Sequence, residues 1–137
     1  MRPRLALWKL LYAMVWLAFL QIVIIVMPRF TPSLVDAHAI LGLVILALAH
    51  YNNAKMKHTE APNRLKRIAK STAILATIQI ILGIILYANI RMYMNVPLVE
   101  AILFVHIVIA LAIITQAASV ATAYDMWEEH EYDSPKK

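Results

Sequence analysis

The sequence predicts an all-α membrane protein: four transmembrane helices in an up-down-up-down bundle, both termini cytoplasmic, forming a single domain over residues 1–137. Three observations lead there. The chain is 62% hydrophobic with a mean hydropathy of +0.69, well above the roughly 45–50% apolar content of ordinary soluble domains. Four apolar runs, about 5–27, 33–51, 68–90 and 96–124, are each long enough to span a bilayer, a crossing taking about 20 residues. The positive charges also sort by side. Arg2, Arg4, Lys9, Lys55, Lys57, Arg64, Lys66, Arg67, Lys70, Lys136 and Lys137 fall on one side, Arg29 and Arg91 on the other, which places the first set and both termini inside.

That asymmetry accounts for the net charge of +5 as orientation in the cell membrane, with the lipid bilayer rather than nucleic acid as the partner. The absence of cysteine excludes disulfides and Cys-ligated zinc or iron–sulfur sites. A metal must come through histidine, carboxylate or a bound cofactor.

The first run follows Met1-Arg-Pro-Arg4 like a secretory signal. It is longer than a typical signal core and Met27-Pro-Arg-Phe-Thr has no small-residue cleavage site, so it stays as a helix. Pro28 and Pro32 break the first connection, and Ser33 followed by Asp36 reads as a capping box opening the second helix. A longer inner loop, about Asn52 to Arg67, is expected before the third. Pro97, just after a capping Asn95, opens the fourth. The acidic tail 125–137 is expected to hang in the cytoplasm with His130 solvated.

The candidate chemistry lies in two histidines. Ionisable residues within spanning segments are rare and costly, and they mark functional sites; a neutral imidazole is a ligand for a metal or haem iron. His38 lies about five residues into helix two and His106 about nine into helix four, roughly 8 and 13 Å from the outer ends at about 1.5 Å per residue. In this topology helices two and four are diagonal, so the two rings can clamp one haem iron axially. Gly42, one turn after His38, and Ala110, one turn after His106, offer room for a flat ligand, with Ala49, Ala117 and Ala121 continuing the two faces. The alternative is that both histidines are hydrogen-bonded packing residues and the small residues are helix contacts.

His50 is rotated about 120° from His38 around the helix and is assigned to the inner interface; His58 is assigned to the loop. Gln21 and Gln116 are expected to form interhelical hydrogen bonds. Gln79 shares a face with Thr72, Ala76 and Gly83, which lines a cavity or lets helix three pack closely. Arg29 and Arg91, the outer cations, suit haem propionates or interfacial anchoring equally.

Gln79-Ile-Ile-Leu82-Gly83 in helix three followed by His106-Ile-Val-Ile-Ala110 in helix four resembles one half of haem A synthase, an eight-helix enzyme of two four-helix halves. The placing of a histidine near the outer end of each even-numbered helix is similar too. The resemblance covers about Ser33 to Ala118 and implies that His38 and His106 are haem ligands in a half-length form that assembles with itself. It also implies oxidation of the haem O methyl group to the formyl group of haem A. The catalytic half of that family carries a glutamate where this chain has Val35, and an arginine where it has Ala39. Asp36 and Glu100 are the substitute carboxylates on offer.

Three functions follow: a haem A synthase-like enzyme needing a second copy or a partner membrane chain, a b-type cytochrome carrying electrons or serving an oxidase, and a structural subunit without haem. The His38-x-x-x-Gly42 pattern is similar to four-helix b-type cytochromes, which usually hold two haems and use more helix histidines.

Overall fold

The computed structural model describes residues 7–26, 31–92 and 96–133. They form α1 (Leu7–Val26), α2 (Pro32–Lys57), α3 (Asn63–Met92) and α4 (Val96–Asp133), with no strand among the described residues. All four helices are long and apolar enough to cross a membrane, as the sequence led us to expect. α1 packs against α2 and α4, and α3 packs against the same two. The cyclic order α1-α2-α3-α4 therefore sets α2 diagonally from α4.

Two layers of side chains hold the bundle. The middle layer joins Met14 and Ala18 of α1, Ile45 and Ala49 of α2, Ala73 and Ala76 of α3, and Ile113 and Ala117 of α4. Five of these eight are alanine, so the backbones approach closely, and that packing replaces the hydrophobic drive lipid cannot supply. Ala49 and Ala117 thus serve helix packing, as does Ala121 in the second layer. That layer joins Leu7 and Leu11 to Met56, Ala61, Leu65, Ala69, Val120 and Tyr124.

The second layer explains why the helices outrun their apolar runs. α2 continues six residues past Tyr51 to Lys57, and α3 begins at Asn63 rather than Ile68, so the expected long loop shrinks to residues 58–62. Met56, Ala61 and Leu65 are all buried there, and that burial makes helix the favoured state of a polar stretch. α4 likewise runs to Asp133. The tail up to that residue does not hang free: Tyr124 and Glu128 are buried, Trp127 packs on the same layer, and the Tyr124 and Trp127 rings lie 5.5 Å apart. His130 sits exposed on this last stretch of helix.

The start of α2 also differs. Thr31 is the N-cap, in extended conformation and without a side-chain cap bond, and Pro32 occupies the first turn. The Leu34 and Val35 N–H groups donate to the Thr31 carbonyl at 2.9 and 3.2 Å. Ser33 is therefore already helical and the Ser33–Asp36 capping box does not form; proline, with no N–H to satisfy, opens the helix instead. Asn95 lies outside the described residues.

Candidate functional site

His38 stands six residues into α2 and His106 ten into α4. Their rings meet across the bundle with centroids 6.4 Å apart and planes inclined by 49°. His106 is buried at 9% exposure and His38 is half-buried. The two sequence-predicted ligands are thus brought together, and by side chains alone, since the α2 and α4 backbones do not touch.

Each wall of this end supplies a polar group. From α1, the Gln21 amide donates to the His38 carbonyl at 2.9 Å, the interhelical bond expected of it. From α3, Gly83 backs His106: a Cβ at Gly83 would lie in ordinary van der Waals contact, 3.5 Å from His106 Cε1, so the ring rests close to that helix with room for no more than a methyl group between them. One turn to either side of Gly83 are Gln79 and Tyr87. The Tyr87 hydroxyl donates to Asp36 Oδ1 at 2.9 Å, tying α3 to the first turns of α2. Asp36 is held there rather than by a cap.

Four polar atoms in this part of the bundle are buried without a hydrogen-bond partner: Nδ1 of His38, Nδ1 of His106, Oε1 of Gln21 and Oε1 of Gln79. A buried unpaired polar atom costs on the order of 1–3 kcal/mol; Trp8 Nε1, Asn52 Oδ1 and Asn53 Oδ1 are buried without a partner as well, so such atoms are not confined to the ring pair. Among the described residues no cluster of three or more His, Cys, Asp or Glu forms. The pair offers two nitrogen ligands and no more.

One turn below His38, the space over Gly42 is already taken. A Cβ there would meet Gln21 Nε2 at 3.2 Å and Ile80 Cδ1 at 3.3 Å. Ala110 is half-buried at the corresponding step of α4. On the Gly42 side, therefore, Gln21 and Ile80 fill the space that the sequence offered to a flat ligand. Glu100, the fifth residue of α4, is exposed. Arg29 lies outside the described residues; Arg91 is in the last turn of α3, its side chain outside them.

The remaining histidines stay apart from the pair. His50 is exposed and bonds Thr77 Oγ1 at 2.9 Å; the threonine hydroxyl donates to the Ala73 carbonyl, so its oxygen accepts from His50 Nε2–H. His58 caps the end of α2, its N–H donating to the Lys55 carbonyl at 3.0 Å. Gln116 accepts from the Thr72 hydroxyl at 3.1 Å, a second interhelical bond of the expected kind. Sequence reasoning missed Tyr87, which carried no periodic signal beyond its place one turn after Gly83. It also missed buried Asn52, whose amide donates to the Leu10 carbonyl at 3.4 Å, because helix two was read as ending one residue earlier.

No family model matches this chain, and no curated protein or solved structure was found to match it.

Proposed function

We propose that the chain is a haem-binding protein of the cytoplasmic membrane, an up-down-up-down bundle with both termini inside, and that His38 and His106 are the axial ligands of one b-type haem. The observation that carries this reading is the ring separation. Two imidazoles bound trans to one metal, at about 2.0–2.1 Å per metal–nitrogen bond, have centres roughly 6–6.5 Å apart, and these stand at 6.4 Å. A metal held by only two protein nitrogens needs its remaining ligands from a macrocycle, which is what a porphyrin supplies. Gly42 and Ala110, one turn from each ring, would be the small residues nearest such a group. Arg29 and Arg91 serve its propionates.

Within that reading, haem A synthase-like chemistry, oxidising the methyl group of haem O to formyl, rests on the sequence resemblance. One ligand pair holds one haem, so separate cofactor and substrate haems require a homo-oligomer or a partner membrane chain. The second reading is a b-type cytochrome that carries electrons or accompanies an oxidase. It is favoured by the engagement of Asp36 with Tyr87 and the exposure of Glu100, which leave neither carboxylate at the ring pair. Identification of the haem extracted after expression with a haem O supply separates the two: haem A or a hydroxylated precursor supports the enzyme, and haem b alone supports the cytochrome.

A further inference from the structure

A second site lies at the basic end of α3, away from the histidines. An open groove of about 380 Å³ runs between α3 and α4, lined by Arg64, Arg67, Ile68 and Ser71 on one side and Thr115, Gln116 and Ser119 on the other. Two guanidiniums face it and no carboxylate does. The Thr115 and Ser119 hydroxyls donate to backbone carbonyls one turn back, and the Gln116 oxygen is occupied by Thr72. The donors left to the groove are the two arginines, the Ser71 hydroxyl and the Gln116 amide. That set matches a phosphate group, which presents acceptor oxygens only and pairs in bidentate fashion with arginine.

The walls beyond the polar part decide the source of the phosphate. Toward the other end of the helices the same sides continue as Ile74 and Ile78 on α3 and as Leu111 and Val108 on α4, exposed at 50%, 39%, 53% and 48%. Ile78 follows Ser71 by seven residues and Val108 precedes Thr115 by seven, close to two turns in each case, so each falls on the face of its polar partner. A polar groove followed along the same helix faces by exposed apolar side chains matches the order of groups in a phospholipid: headgroup at the membrane surface, acyl chain along the helices. Basic pockets between spanning helices take anionic headgroups on this side of a bilayer.

We infer that the α3/α4 groove is a binding site for an anionic phospholipid, with Arg64 and Arg67 on the phosphate and the exposed apolar faces at Ile78 and Val108 along an acyl chain. The inference is independent of the haem reading, because the groove shares no residue with the histidine pair.

The test uses the full chain, delipidated in detergent and titrated with phosphatidylglycerol, phosphatidylcholine or inorganic phosphate while bound lipid is counted by native mass spectrometry. Phosphatidylglycerol should bind at least tenfold more tightly than phosphatidylcholine. The double variant R64Q/R67Q should lose about tenfold or more in phosphatidylglycerol affinity, each cation near an anionic headgroup contributing several-fold. The charge-matched control K66Q/K70Q, on the same helix but outside the lining, should stay within twofold of wild type. Ile78→Ser, which alters only the apolar face, should weaken the lipid and leave phosphate binding unchanged. Equal loss in the two double variants, equal binding of the two lipids, or inorganic phosphate binding as tightly as phosphatidylglycerol would each overturn the assignment. Helical circular dichroism, unchanged in every variant, keeps misfolding separate from loss of the site.

Discussion

His38 and His106 face one another at 6.4 Å between ring centres although they stand on diagonal helices whose backbones do not touch. Neighbouring helices meet through alanine-rich seams, so two long polar rings reaching across the bundle are a feature the packing does not need. Their Nδ1 atoms are buried and have no hydrogen-bond partner.

Replacing either ring should therefore empty the site. His38→Ala and His106→Ala are each expected to abolish low-spin haem binding, whereas His50→Ala, His58→Ala and His130→Ala leave the spectrum unchanged, since those three side chains are exposed and remote from the pair. A normal bis-histidine spectrum from either of the first two variants would refute the ligand assignment.

Gly83 offers a graded probe. A Cβ there meets His106 Cε1 at 3.5 Å, ordinary van der Waals contact, so Gly83→Ala should retain haem and Gly83→Leu should displace the ring and lose it. Leucine is a good helix former and favourable in lipid, so insertion should survive, as checked by membrane fractionation and circular dichroism. Gly42→Leu is a different experiment. It pushes against Gln21 and Ile80 at 3.2 and 3.3 Å and should lower stability by about 1–3 kcal/mol through overpacking.

Asp36 and Tyr87 form one unit. Tyr87→Phe, which removes only the hydroxyl that donates to Asp36, should cost about 0.5–1.5 kcal/mol, the worth of one hydrogen bond, with the smaller figure closer because the bond is exposed. Combining it with Asp36→Asn should cost less than the sum of the two alone in denaturant unfolding. Additive losses would mean that the two side chains act separately.

The stretch read from sequence as a hanging tail should be structural. Trp127→Ala should cost about 1–2 kcal/mol, somewhat less than the about 1.5–3 kcal/mol of a fully buried large side chain, because Trp127 is only half-buried on its layer. Deletion of residues 125–137 should lower the thermal midpoint further, since Glu128 is lost from a buried position as well. An unchanged midpoint would show that the last turns of α4 pack without contributing.

The number of helices and the common level of His38 and His106 were legible because each rests on a strong signal: an apolar run long enough to cross and a polar ring inside it. The inner ends were not. Asn52–Lys57, Asn63–Arg67 and Asp125–Asp133 are polar by composition, yet each is helical because one buried residue per turn, such as Met56, Leu65 or Tyr124, holds it to the layer beyond the apolar runs. The start of α2 was misplaced because Ser33 and Asp36 fit a capping pattern, whereas Pro32 opens the helix one residue earlier, after an N-cap at Thr31. Gly83 was read as lining a cavity or easing helix packing and as part of the Gln79–Gly83 motif, not as a neighbour of His106. Its place beneath His106 depends on the rotation of α3 against α4, which no pattern within one helix encodes.

The most direct measurement is the absorption spectrum of the purified, folded chain, oxidised and then reduced with dithionite. The account predicts sharp low-spin reduced bands with one haem per chain. A colourless preparation with full helical content, unchanged when haem is added, would contradict it and leave His38 and His106 as a buried pair without a ligand.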